Sequence, residues 1–155
     1  MGVVLVSGAS REAKPVIDVK ELKRALIAGG LEVFRTRGEE VHLAERQNVQ
    51  LMEAGVRVRG GEAPAVTVVS RAQRNDAPAV SPDGLFQLVR ERSATLRDAG
   101  YVELAAAARE IRSVSDPTQL TDVWYEVTWS RAVADIADAV VEARRAMSAE
   151  RYVVP

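Results

Sequence analysis

The 155-residue sequence predicts an α+β fold: a mainly antiparallel sheet with about three helices packed on it, plus short N- and C-terminal arms. Three observations carry that prediction. Helix starts are signalled at Asp18 and at Ser81-Pro82-Asp83, each followed by apolar residues at helical spacing. Between and after them lie runs that alternate apolar with polar residues, the clearest being Thr121 to Ser130. The breaks between these runs, at Gly38 and at Ser115-Asp116-Pro117-Thr118, read as hairpin turns, so neighbouring strands should be antiparallel.

Taken in order, residues 2–7 read as a short apolar strand or arm. Asp18 caps a helix whose stripe is Val19, Leu22, Leu26 and Ile27, and Gly29-Gly30 stops it. Leu31 to Arg37 and Glu40 to Arg46 form a hairpin around Gly38, and residues 47–54 fit no single element. Val56 to Arg59 alternates, Gly60-Gly61 breaks it, and Val66 to Arg74 is a strand. Asn75 to Asp83 carries two prolines and reads as a loop. The helix from Ser81 has proline at its first position and an acid near its positive end; Leu85, Leu88, Val89 and Leu96 line it, and Gly100 ends it. Helix and strand compete over the alanine-rich residues 101–108, with strand favoured from Arg109 to Val114. In the run from Thr121 to Ser130, Val123, Tyr125, Val127 and Trp129 point one way and Asp122, Trp124, Glu126 and Thr128 the other. A last helix spans Arg131 to Ser148, with Val133, Ile136, Ala137, Val140 and Met147 as its buried stripe. The organisation expected is an arm at 1–17, a single α+β domain at 18–148 and a second arm at 149–155.

Composition narrows the functions available. With no cysteine there is no disulfide, thiolate nucleophile or cysteine-based zinc site, and with His42 alone any histidine centre must be built on one imidazole. A net charge of −1 argues against bulk electrostatic binding to nucleic acid or membrane. No apolar run reaches the roughly 20 residues of a membrane helix, and no basic region precedes the first apolar stretch, so no signal peptide is expected.

The candidate chemistry is sparse. Val3-Val-Leu-Val-Ser-Gly-Ala-Ser10 looks like the first strand and turn of a short-chain dehydrogenase, but the glycines needed after Gly8 are replaced by Arg11 to Pro15, and no βαβ succession follows. His42, opposite Val41 and Leu43 in alternation, is expected on the solvent side or at a sheet edge, close to Glu40 but with no recognisable nucleophile. The acid pairs Glu39-Glu40 and Asp135/Asp138 are read as solvated surface rather than as acid/base or magnesium ligands. Arg35, Arg37, Arg57, Arg59 and Arg71 would share one sheet face if their strands are neighbours. That face would suit an acidic or phosphate-bearing partner, although balance by Glu32, Glu39 and Glu45 is the favoured reading. Trp124, on a polar face with Glu126, is either an interface anchor or covered by its own chain. Tyr152, Val153 and Val154 form a short β-prone tail suited to docking on a neighbour. No catalytic, cofactor or metal-binding residue is assigned.

From Asp18 to Ser130 the order of elements resembles the tail terminator, or tail-completion, proteins of bacteriophages. The resemblance rests on an early helix, a hairpin and the strand Val66-Thr-Val-Val-Ser-Arg71. It continues through the helix from Ser81 and the long hairpin ending Val123-Trp-Tyr-Glu-Val-Thr-Trp129. It implies a non-enzymatic structural protein that forms an oligomeric ring at the head–tail neck and binds itself and other structural proteins. No specific nucleic-acid recognition, membrane or small-molecule substrate is implied. The expected location is the virion, or the bacterial cytoplasm during assembly. The closing helix is more similar to small secretion-chaperone-like domains, which dimerise and hold a partner polypeptide.

Overall fold

The computed structural model describes residues 16–148 and is α+β, with its strands antiparallel. Helix α1 (Val19–Ala28) is followed by β1 (Glu32–Arg37), β2 (Glu40–Gln47), β3 (Gln50–Arg59) and β4 (Ala65–Gln73). After a 3-10 turn come α2 (Pro82–Arg92), α3 (Ala94–Asp98), β5 (Val102–Arg112), β6 (Leu120–Ala132) and α4 (Ile136–Ser148). The strand order is β1-β2-β3-β4-β6-β5, which leaves β1 and β5 as edges. The chain divides into two compact units, the first containing residues up to Val66 with Ala132–Arg144, the second Thr67–Arg131 with the segment from Arg145.

In the first unit, Asp18 caps α1 as its sequence position predicts: Oδ2 accepts the Glu21 N–H at 3.0 Å. Leu22 and Leu26 are fully buried, while Ile27 at the end of the predicted stripe is half exposed. The β1–β2 turn uses Gly38 at φ +60, a conformation an L side chain resists. Residues 47–54, unassigned from sequence, are the tip of a second hairpin. Asn48 sits at φ +61, where asparagine is the best-tolerated non-glycine residue, and β3 starts at Gln50. At its other end β3 leads to Gly60 and Gly61, and Gly61 exchanges backbone hydrogen bonds of 3.0 and 2.7 Å with Ile17.

The last helix begins later than its sequence suggests. Strand β6 runs on to Ala132, and α4 starts only at Ile136, behind a reciprocal cap. Asp135 Oδ1 accepts the Asp138 N–H at 2.8 Å, and Asp138 Oδ2 accepts the Ala134 N–H at 2.9 Å. The capping box fixes the start, and the buried positions on α4 are Ala139, Glu142, Ala143 and Ala146, with Ala137 exposed. Small residues face inward here, and Val140 lies against Gly29, where an added methyl would approach it to 2.7 Å.

In the second unit, Ser81 caps α2 by accepting the Gly84 N–H at 3.1 Å. The single helix expected as far as Gly100 breaks at Ser93. The Ser93 hydroxyl donates to the Val89 carbonyl at 2.8 Å and also meets Ser70 Oγ at 3.1 Å. Fully buried serines need such partners, and the pair ties this kink to β4. Residues 101–108 resolve as strand: β5 begins at Val102 and ladders onto β6, so pairing overrides the helical preference of four consecutive alanines. It ends at Arg112 rather than Val114, where Asp116 organises the turn by accepting from the Thr118 N–H and hydroxyl at 3.1 and 2.6 Å.

Candidate functional site

On β6 the alternation works as read from the sequence: Val123, Tyr125, Val127 and Trp129 are buried. The Phe86 ring meets Tyr125 edge-on at 5.2 Å, which identifies this as the face covered by α2. The exception is Asp122, expected on the polar side but buried. Its Oδ1 accepts from the Asn75 and Val123 N–H groups at 3.1 and 2.7 Å, and Oδ2 accepts the Trp124 indole N–H at 3.1 Å. Several donors replace the water this carboxylate loses.

Trp124 stands beside Asp122 and is neither bare nor enclosed. The Arg71 guanidinium from β4 lies 4.1 Å from its ring centre, and that of Arg109, its register partner on β5, lies at 4.9 Å. Glu126 Oε2 receives both arginines, at 3.2 and 3.0 Å. The group is therefore an indole held between two cations that share one carboxylate. Burial pushes the Arg71 guanidinium below its ordinary value, Glu126 opposes that, and Arg109 adds to it. Among the described residues, the partial cover of Trp124 comes from its own chain's Arg71 and Arg109.

The first unit carries a second polar cluster. His42, expected toward solvent, is 2% exposed. Its cross-strand partners are Arg35 and Arg57, whose long side chains screen the imidazole while keeping their charged ends wet. Glu53 Oε2 lies 2.9 Å from His42 Nδ1, whereas Arg35 Nε lies at 3.5 Å from the same nitrogen. One ring nitrogen cannot donate and accept at once, and the shorter contact decides: Nδ1 carries the proton and donates to Glu53. Nε2 is left buried without a hydrogen bond, 3.5 Å from Glu40 Oε1. That atom is sealed from solvent, whereas the Glu53 side chain remains partly exposed. Glu53, which sequence reasoning overlooked because it falls in the unassigned 47–54 stretch, also pairs with Arg35 at 2.8 Å and Arg57 at 3.7 Å.

The predicted arginine face is thus partly assembled. Arg35 and Arg57 converge on Glu53, and Arg37 and Arg59 flank Glu40 in register. Arg71 belongs instead to the Trp124 group. The balancing acid is chiefly Glu53; of those expected, Glu32 pairs with Arg46 at 2.9 Å, and Glu39 folds against Gly61. Asp135 and Asp138 serve as helix caps. Among the described residues no cluster of three or more His, Asp or Glu could hold a metal ion, and no helix is long and apolar enough to cross a membrane. Tyr152, Val153 and Val154 lie outside the described residues, as do the glycine motif at Gly8 and the apolar run at 2–7.

The feature that sequence reasoning undervalued is β5. Of its eleven residues all but Ile111 are exposed. Val102 is 65% and Leu104 57% exposed, followed by Ala105 to Ala108 with no polar side chain. One edge pairs with β6; among the described residues nothing pairs with the other edge or covers either face. Glu103 at its start is clamped by Arg90 through two bonds of 2.8 and 3.0 Å. That bidentate bond, strengthened by the charges of Arg90 and Arg97, holds the Glu103 carboxyl below the usual carboxylate range. No protein-family model, curated protein or solved structure matches the chain.

Proposed function

We propose that this protein is a non-catalytic assembly subunit that joins copies of itself into an oligomer through the open edge of β5. The reading rests on one observation, the eleven-residue edge strand exposed on both faces with an uncharged centre. Natural proteins protect such edges with charges, prolines, bulges or a cover, because unpaired backbone groups on a long strand recruit another strand. Here β5 is bulged between Glu103 and Ala105 and between Ile111 and Arg112, but the regular stretch from Ala105 to Ala108 carries neither bulge, charge nor proline.

A ring subunit of the phage tail-terminator kind is the form of assembly that fits best. A heterologous contact repeated around an axis closes into a ring, and the β5 edge of each subunit supplies one half of such a contact. The second form is a secretion-chaperone-like dimer, which the closing helix α4 favours. The native mass in solution tests both. A closed ring gives a mass several times that of the chain, the chaperone form gives twice it, and a monomer at every concentration overturns the assembly reading.

A further inference from the structure

We infer that the strand completing the β5 edge is the apolar segment Gly2-Val-Val-Leu-Val-Ser7 of a second copy of this chain. The inference rests on the assembly reading above and names the contact that would carry it.

The two partners match in three respects. The first is charge: the uncharged centre of β5, Leu104 to Ala108, lies between Glu103 and Arg109, and residues 2–7 are six consecutive uncharged residues. The second is sidedness. In the regular part of β5, Ala105 and Ala107 share a face with Thr128 and Glu126, while Ala106 and Ala108 share the opposite face with Val127 and Tyr125. Both faces are bare, so an added strand has apolar surface to cover on each. An ordinary half-polar strand would waste one side. In Val3-Val4-Leu5-Val6 both sides are apolar, with Val3 and Leu5 on one and Val4 and Val6 on the other. The third is bulk: alanine methyls leave room beside them that valine and leucine fill, and β-branched residues suit an extended added strand.

Reach supports the same partner. The described chain is anchored where Ile17 bonds to Gly61, and residues 8–16 connect that anchor to the apolar segment. Nine residues extend to roughly 30 Å, enough to reach a neighbouring subunit. The C-terminal Tyr152-Val-Val154 is a poorer fit: three apolar residues between Arg151 and Pro155 cover little more than half of the uncharged centre, and Pro155 cannot donate to a ladder. Main-chain hydrogen bonds along the edge would supply affinity, and the alternating side chains the register.

Because the chain has no cysteine, the contact can be trapped cleanly. Val4→Cys in one preparation is mixed with Ala105→Cys, Ala106→Cys, Ala107→Cys or Ala108→Cys in another, oxidised, and run without reductant. The expected result is a covalent heterodimer with one or two neighbouring positions on β5 and not with the others. In parallel, deletion of residues 2–7 should raise the concentration of half-assembly by about 100-fold, as loss of the equivalent of one or two fully buried apolar side chains implies. An oligomeric full-length chain that gives no heterodimer, and whose mass survives the deletion, overturns this inference while leaving the assembly reading intact. Cross-linking confined to a single chain carrying both cysteines overturns the second copy as donor. A full-length chain that is monomeric throughout overturns both.

Discussion

Replacing Trp124 with alanine should destabilise the isolated subunit by about 2–3 kcal/mol. The indole loses two guanidinium contacts, Arg71 at 4.1 Å and Arg109 at 4.9 Å, each worth roughly 0.5–1 kcal/mol at a partly solvated site. Its N–H to the buried Asp122 carboxylate, at 3.1 Å, contributes about 1–1.5 kcal/mol, being a bond to a charged acceptor. Removing the ring also uncovers apolar surface around a half-buried side chain, a further loss of about 1 kcal/mol. These terms overlap, since Glu126 can still hold both arginines, so the total falls short of their sum. For a chain of this length the loss appears as a fall in melting temperature of roughly 5–10 °C. Urea unfolding at a concentration where the subunit is monomeric gives the free energy directly. A double-mutant cycle with Arg71→Met should show coupling of about 0.5–1 kcal/mol. A loss under 0.5 kcal/mol in the monomer, together with a smaller native mass, would show that Trp124 serves an intermolecular contact instead and would refute this reasoning.

Other perturbations follow from the same geometry. Asp122→Ala orphans the Asn75 and Val123 amides and the indole N–H, and should cost about 2–4 kcal/mol in urea unfolding, more than Asp122→Asn, which keeps one acceptor. Glu103 is held below the ordinary carboxylate range by Arg90, so its contribution is present above the unfolded carboxylate value near 4.3 and is lost as pH falls through the lower folded value. Wild-type stability should therefore decline more steeply than that of Glu103→Gln below about pH 4, with a gap of about 0.5–1 kcal/mol at neutral pH, as befits an exposed pair. Gly61→Ala should lower stability by about 1–2 kcal/mol in the same assay, since φ is +76 and a methyl would collide with the Glu39 carboxylate. Ala106→Lys, on an exposed strand, should leave the melting temperature of the monomer unchanged while reducing its assembly, as measured by sedimentation.

Local signals were legible wherever a side chain bonds its own backbone. Asp18 and Ser81 cap where they were expected to, because an N-cap needs only residues three positions away. The face assignment on β6 followed from strict alternation. Reading failed where a partner distant in sequence decides. Ser93 kinks a helix because Ser70 lies opposite it, and Ala105 to Ala108 become strand because β6 pairs with them. His42 is buried because Arg35 and Arg57 screen it from the neighbouring strands, and Glu53, in the stretch that carried no periodicity, bonds it across a hairpin turned by Asn48. The misplaced start of α4 is different in kind: Asp135 and Asp138 are spaced as a capping box, a local signal, but read as solvated acids inside a helix already begun at Arg131. Composition directed attention to arginine and tryptophan, whereas the exposed centre of β5 is made of alanine, whose significance depends on strand pairing no sequence displays.

The central claim concerns the free edge of β5, and amide hydrogen exchange across Val102 to Arg112 measures it most directly. Amides that point away from β6 have no strand partner among the described residues and should exchange within seconds in dilute protein. If copies assemble through this edge, the same amides should slow by two or more orders of magnitude as concentration rises, in step with the native mass, while those bonded to β6 change little. Fast exchange along the outer side of β5 in a sample whose mass shows it to be fully assembled would contradict the account.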